Sequence, residues 1–200
     1  ENGDILLCRT YFDSPGDDYS RTDRLPWLNY LIGNKKPSPA RRESFLKSLQ
    51  IATIIANADG FQSGGGCVYK RGLEGLQTWA DDLKDRSRFD LNNADEVLKH
   101  ASVNEFIYTS LVDARICAAQ YIRNYSNVLG ENLAGQLISI ASSYEQIVST
   151  LQTGRQFFPD TDIKDPAEWT EETRYNEADT IIKVLKLEET AIRNISAINM

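Results

Sequence analysis

Residues 131–154, ENLAGQLISIASSYEQIVSTLQTG, carry the clearest structural signal in the chain. This heptad-like spacing of apolar residues places one continuous stripe along a helix, as in helices that pack nearly antiparallel in a bundle. The segment therefore predicts an α-helix whose stripe is buried against its neighbours. The stripe steps by four and three residues without a gap, through Leu133, Leu137, Ile140, Tyr144, Ile147 and Leu151.

Most of the chain after residue 37 has the same helical character. No segment repeats at a fixed period, so a bundle is favoured over a solenoid. The predicted fold is mainly α, an antiparallel helical bundle of five to six helices preceded by a short β-hairpin or two edge strands. The predicted helices cover about 39–57, 68–84, 93–100, 102–129, 131–154 and about 166 almost to the end. Within 102–129 the predicted buried face comprises Ile107, Leu111, Ala114, Ala118, Tyr121, Tyr125 and Val128.

The first 37 residues have a different pattern. The apolar run at 4–12 predicts a β-strand, 13–18 is dense in turn-forming residues, and 28–32 predicts a second short strand. The sequence therefore predicts two regions, a β remnant of an upstream domain at 1–37 and a helical bundle at 38–200. Glu1 leads almost directly into a strand and the single methionine is Met200, so we expect the chain to be the carboxy-terminal part of a longer protein.

Composition excludes several classes of function. The net charge is −7 and no basic stripe occurs, which argues against nucleic acid as a partner. No apolar stretch approaches the ~20 residues of a membrane span. Three cysteines without CxxC spacing argue against a zinc site or a disulfide framework, and they favour a reducing cytoplasm. We expect no metal and no cofactor.

Catalytic groups are scarce. His100 is the only histidine, and it is predicted to lie solvated at the end of the short helix 93–100. Cys117 is predicted to be a buried, inert thiol. The run Gly64–Gly66 follows a helix and lacks the Lys-Ser/Thr pair of a phosphate loop, so it is interpreted as a flexible connector. No catalytic residue is assigned in this chain, and turnover by the chain alone is not expected.

Three residues are candidates on their residue type and position. Trp79 lies on the inward side of its predicted helix, where a core position is the simpler interpretation. Trp27 follows Pro26 between two extended segments and could line a groove. Arg115 lies beside the apolar face of 102–129, and an internal ion pair with Asp113 explains it without a ligand.

Two stretches support a resemblance to a known family. Gly72-Leu73 followed by Trp79-Ala80 and Leu83, and Ala114-Arg115 followed by Ala118-Ala119 and Tyr121-Ile122-Arg123, are similar to the helical half of bacterial proteins related to butirosin biosynthesis protein H. In that family a papain-like amino-terminal half precedes the helical half. The resemblance implies that the nucleophilic cysteine and its histidine lie upstream of this chain, and that acyl-transfer or peptidase-like chemistry belongs to the upstream half.

Two hypotheses about function remain open at this point. In the first, the helical half shapes a substrate cleft with the papain-like half, lined by Arg9, Tyr11 and Trp27. In the second, the chain is a non-enzymatic helical module that binds a small molecule or a partner protein in an apolar pocket. The upstream domain or a small-molecule ligand is the expected partner, and a homo-oligomer is an open alternative. Trp79 and Tyr121, with Tyr125 beside them, are the expected pocket residues, and Arg115 completes the candidate substrate-binding set.

Overall fold

The structure, a computed structural model, describes residues 6–8, 20–22, 39–62, 68–157 and 165–198. The chain divides into two compact units, Glu1–Ser38 and Pro39–Met200. In the first unit β1 (Leu6–Cys8) pairs antiparallel with β2 (Ser20–Thr22). β1 falls inside the predicted strand 4–12, whereas β2 was not predicted. The strand predicted over 28–32 lies outside the described residues.

The second unit is a helical bundle, so the predicted mainly-α fold class is confirmed. Single 3-10 turns and one small hairpin connect its helices. The helices of the described residues are α1 (Arg41–Ala56), α2 (Gly72–Lys84), α3 (Ala94–Asn124), α4 (Glu131–Gly154) and α5 (Glu171–Ser196), and β3 (Phe61–Gln62) pairs antiparallel with β4 (Val68–Tyr69).

Cross-helix hydrogen bonds define the directions of the three long helices. Near the end of α3, Arg123 donates to Glu145 in the middle of α4, while Tyr108 in the middle of α3 donates to the carbonyl of Leu151 near the end of α4. These contacts require α3 and α4 to run antiparallel. Asn104 and Arg115 of α3 contact Glu177 and Glu188 of α5 with the same sequence separation of 73 residues, so α3 and α5 run parallel.

The predicted stripe of α4 forms the centre of the core. Leu137, Ile140, Ile147 and Leu151 are fully buried, and Tyr144 retains 5% of its exposure. A stripe that faces neighbouring helices along its whole length buries apolar area. Each Å² removed from water contributes roughly 25 cal/mol to stability. The spacing of residues 131–154 therefore predicts both this helix and the face that it buries.

The boundary that the sequence predicted near His100 is wrong. α3 is one helix of 31 residues, and the side chain of Asn93 makes no capping hydrogen bond. The helix continues because its buried positions run across that point at four- and three-residue spacing, through Val97, Ala101, Asn104 and Tyr108. Burial of this continuous stripe stabilises one uninterrupted helix.

Helix α2 begins later than predicted. The segment expected to be a glycine connector and the start of a helix instead includes the hairpin of β3 and β4; residues 63–67 lie outside the described residues. Gly72 has φ +61°, a conformation that L side chains rarely adopt, and it is the first residue of the helix. The final helix also begins later, at Glu171, where the Thr170 side chain accepts a hydrogen bond from the amide of Thr173.

Candidate functional site

The helical unit contains a pocket of about 490 Å³. Its walls come from all five helices of the described residues, with apolar side chains forming most of the surface. A pocket of this size lies in the range that small-molecule sites occupy. The apolar lining comprises Ala52, Ile55, Ala56, Leu73, Leu76, Trp79, Ile107, Leu111, Ala118 and Ile192, and the polar lining comprises Lys70, Arg115, Tyr144 and Glu188.

A close contact of α1 with α2 fixes one wall of this pocket. A Cβ atom on Gly72 would lie 2.3 Å from the carbonyl oxygen of Ala56 and 2.5 Å from that of Ile55. Glycine therefore lets the end of α1 touch the start of α2, and both helix ends line the pocket. Gly72 begins the stretch that carries the family resemblance. The close contact between α1 and α2 explains the need for glycine at this position without any ligand.

An ion pair lies at the polar end of the pocket. The Nε–H of Arg115 on α3 donates to Oε1 of Glu188 on α5. The Glu188 side chain is 4% exposed and the Arg115 side chain 27%. The terminal nitrogens of Arg115 make no hydrogen bond within the part of the chain that the structure describes. The guanidinium is thus held by one N–H, and Arg115 is one of the residues that line the pocket.

Tyr144 of α4 lines the same end of the pocket. Burial raises the pKa of Tyr144 to about 12, the negative charge of Glu188 adds to the rise, and Arg115 opposes it. The hydroxyl is therefore neutral and able to donate at any physiological pH. Among the described residues it has no hydrogen-bond partner, although the side chain is 5% exposed.

A second polar contact joins α3 to α5 deeper in the bundle. Nε1 of Trp79 donates to Oδ1 of Asn104 over 2.6 Å, and Nδ2 of Asn104 donates to Oε1 of Glu177 over 2.9 Å. Glu177 is 1% exposed, and no described residue donates to its Oε2. Burial raises the pKa of Glu177 to about 8, and the hydrogen bond from Asn104 opposes part of that rise. The carboxyl is therefore mostly neutral near pH 7.

A smaller aromatic pocket of about 190 Å³ borders Trp79, Phe89, His100 and Trp169. The guanidinium carbon of Arg174 lies 4.1 Å from the ring centre of Phe89, so the chain supplies a cation to these rings itself. His100 lies inside α3 rather than at a helix end as predicted, 3.5 Å from Glu96, with its ring edge-on to Phe89. The aromatic and charged side chains around this pocket contact one another, which leaves fewer of their polar groups available to a ligand than in the larger pocket.

The structure brings two of the candidate residues together. Trp79 and Arg115 line the same large pocket. Tyr121 lies elsewhere, with ring centres 5.5 Å from Phe45 and 4.9 Å from Tyr125, and it does not line the pocket. The other candidates, Arg9, Tyr11 and Trp27, lie outside the described residues, and so does the cleft expected around them.

Several predictions about individual residues are wrong. Of the face predicted to be buried over 102–129, three residues are exposed, because the buried stripe of α3 lies on an adjacent face: Ile107, Ala114 and Tyr121. Arg115 pairs with Glu188 across the bundle rather than with Asp113, which is exposed on the far side of the same turn. Cys117 is exposed rather than buried, because α3 turns its pocket-lining and core positions away from that side chain.

Glu177 and Glu188 were not predicted to be site residues, although their positions in the sequence pattern of α5 indicate that both are buried. In α5 the buried positions step by four and three residues, and both acids occupy positions in that series. In α3, Asn104 and Arg115 occupy equivalent positions. Polar residues on a heptad stripe are unusual enough to mark internal contacts. The α5 series is Glu177, Ile181, Val184, Glu188, Ala191, Ile195 and Ile198.

Comparisons with known proteins add no assignment. No family model matches the chain, and neither a curated protein nor a solved structure matches it. Within the described ranges, no three His, Cys, Asp or Glu side chains are grouped so that they could hold a metal ion. None of the helices in those ranges has the length and apolarity needed to cross a membrane.

Proposed function

We propose that the helical unit is a binding module for a small, largely apolar molecule, and that the large pocket is its site. The observation that carries the proposal is an open, apolar pocket of about 490 Å³ that ends at an ion pair and at the Tyr144 hydroxyl, which has no hydrogen-bond partner among the described residues. Interiors of folded proteins contain few voids larger than a water molecule. An unfilled pocket of this size leaves apolar surface wet, and a ligand recovers that free energy on binding.

The lining supports a ligand with an apolar body. Leu73, Leu76 and Trp79 follow one face of α2, and Ile107 and Leu111 follow one face of α3. Both helices present these residues at helical spacing, so the apolar walls extend over two turns, about 10 Å. Polar groups are confined mainly to one end, an arrangement that orients a ligand while the walls supply most of the affinity.

The hypothesis of a cleft shared with an upstream papain-like half stays a prediction, because the residues expected to line that cleft lie outside the described ranges. The family resemblance stays a prediction as well. We also keep the cytoplasm as the proposed location, since Cys117 is a free and exposed thiol, which suits a reducing compartment.

A pocket-filling substitution tests the proposed function. Ala118 lines the pocket, whereas Ala114, one turn earlier on α3, is exposed and lies outside it. Nile red, a neutral dye whose fluorescence rises in apolar surroundings, serves as the probe, and octanol serves as the competitor. We expect the whole chain to bind the dye, octanol to displace it, and Ala118→Phe to abolish binding while Ala114→Phe retains it.

Circular dichroism melting of both variants shows whether the fold is kept. Equal dye binding by a folded Ala118→Phe variant and by the unsubstituted chain would contradict the proposal, because the dye would then be binding to another surface. The exposed side chains of Ile54 and Phe106 are the obvious alternatives, at 66% and 74% exposure.

A further inference from the structure

The polar end of the pocket offers more hydrogen-bond donors than acceptors. Arg115 uses its Nε–H on Glu188, which leaves its terminal N–H groups without a described partner. The Tyr144 hydroxyl adds a neutral donor that no described residue uses. Glu188 is the one carboxylate in the lining, and one of its oxygens already accepts from Arg115. A ligand group that accepts several hydrogen bonds therefore fits this end better than one that donates.

Exposure favours the same choice. The Arg115 side chain is 27% exposed, whereas Glu188 is 4% exposed, so the guanidinium is the more accessible partner of the pair. Lys70 adds a second cation to the lining, where it is held by Glu74 over 2.5 Å. A guanidinium with two free terminal nitrogens matches the two oxygens of a carboxylate, which accepts from both in parallel.

We propose that the pocket binds a monocarboxylate with an apolar body, its carboxylate between the terminal nitrogens of Arg115 and the hydroxyl of Tyr144. This inference rests on the proposed function and adds the chemical class of the ligand. The apolar body lies along the α2 and α3 walls toward Trp79. Glu188 is a positioning residue, because its hydrogen bond to Nε sets the plane in which the guanidinium meets the ligand.

Three probes with the same tail separate this inference from the proposed function. Octanoate, octanol and octylamine differ only in the head group, and isothermal titration of the whole chain compares their dissociation constants at pH 7. We expect octanoate to bind about 10-fold or more tighter than octanol, the usual gain from a charge-assisted pair of hydrogen bonds. Octylamine is expected to bind weakest, because Arg115 repels it.

Variants then assign the preference to the two donors. Arg115→Met leaves Glu188 buried without its cation and could fail to fold, so the double variant Arg115→Met/Glu188→Met, which removes both charges, accompanies it. We expect the double variant to lose the preference for octanoate over octanol. Arg123→Met is the matched control, since Arg123 is also an α3 guanidinium bonded to a glutamate, outside the pocket.

Tyr144→Phe is expected to weaken octanoate relative to octanol about 3- to 10-fold, with Tyr125→Phe as its control. The inference is overturned if octanol binds as tightly as octanoate, if the double variant keeps the preference, or if octylamine binds tightest. In each of these cases binding itself stands and only the ligand class fails. If none of the three probes binds, the proposed function fails with it.

Discussion

Two polar contacts join α3 to α5, and they solve the problem of a buried carboxyl in opposite ways. At one end the Glu188 carboxylate accepts a hydrogen bond from the Arg115 guanidinium, and the pair opens onto the pocket. Three turns away Glu177 has an amide from Asn104 and no cation, and its pKa is raised to about 8.

The two contacts also differ in how tightly the surrounding side chains and helices pack. Near Glu177, α4 lies close to both helices: a Cβ on Gly154 of α4 would lie 2.5 Å from Cγ2 of Thr180 and 2.9 Å from the hydroxyl of Tyr108. Near Glu188 the helices leave about 490 Å³ unfilled. One interface therefore has a closed, neutral end that holds the helices together and an open, charged end that is available to a ligand. The Arg115–Glu188 ion pair therefore lies at the end that water and ligands can reach.

The largest expected effect comes from Glu177→Gln. An acid whose folded pKa is raised holds its proton in the folded state at pH values where the unfolded chain has lost it. Stability therefore falls as the pH rises from about 4.5 to about 8, by about 1.4 kcal/mol per pH unit. Glutamine has no proton to lose, so the variant should be more stable than the unsubstituted chain by roughly 5 kcal/mol above pH 8, and about equal below pH 4.

Urea unfolding at a series of pH values measures this difference. Glu172→Gln, an exposed change on the same helix, is the control and should follow the unsubstituted chain. Parallel stability curves for Glu177→Gln and the unsubstituted chain would show that Glu177 is ionised in the folded protein, and the closed end would then not be neutral.

Arg115 and Glu188 at the open end should make coupled contributions to the free energy of unfolding. Arg115→Met leaves a carboxylate of 4% exposure without its cation and should cost about 3 kcal/mol; Glu188→Met leaves a partly exposed guanidinium and should cost about 2 kcal/mol. The double variant Arg115→Met/Glu188→Met should lose less than the sum of the two. Denaturant unfolding gives the coupling energy. Additive losses would mean that the pair is not coupled.

A larger side chain should lower the free energy of unfolding more at the closed end than at the open end. Gly154→Ala places a methyl group against Thr180 and Tyr108 and should destabilise the chain by about 2 kcal/mol. Ala118→Phe places a larger group in the pocket and should cost less than about 1 kcal/mol. Gly135→Ala, in the same helix as Gly154 with nothing within 4 Å of the new methyl, should stabilise by about 0.5–1 kcal/mol. Thermal melting ranks the three, and a neutral Gly154→Ala would refute the close packing.

The smallest effect distinguishes two tyrosines. The Tyr108 hydroxyl donates to the carbonyl of Leu151, so Tyr108→Phe should cost about 1 kcal/mol. Tyr144 has no hydrogen bond to a described residue, so Tyr144→Phe should change the free energy of unfolding by less than about 0.5 kcal/mol. A larger loss from Tyr144→Phe than from Tyr108→Phe would mean that the hydroxyl is committed to the fold rather than available to a ligand.

The fold was largely accessible from the sequence because one stripe dominates it. Residues 133–151 and the apolar face of the last helix have a heptad spacing that few other structures tolerate, and both faces are buried. The helix boundaries were less accessible. The break predicted near His100 does not occur, because a buried stripe runs across that point from Val97 to Tyr108.

The site was only partly accessible, for a physical reason. Ile107, Leu111 and Ala118 were predicted to be core because their spacing is helical; the structure shows that they line a pocket. Periodicity identifies apolar positions but does not distinguish a filled interior from an open one. Arg115 was assigned to the nearest acid in sequence, Asp113, since nothing local indicates a partner 73 residues away.

The most direct test of the central claim, that a ligand enters the open end of the α3–α5 interface, is chemical-shift mapping of the ¹⁵N-labelled chain titrated with octanoate. We predict the largest backbone amide shifts at Leu73, Leu111 and Ala118, around the open end, with little change at Ala101 and Thr180 near the closed one. Shifts concentrated at the exposed apolar residues Ile54 and Phe106, with none in the pocket walls, would contradict the account.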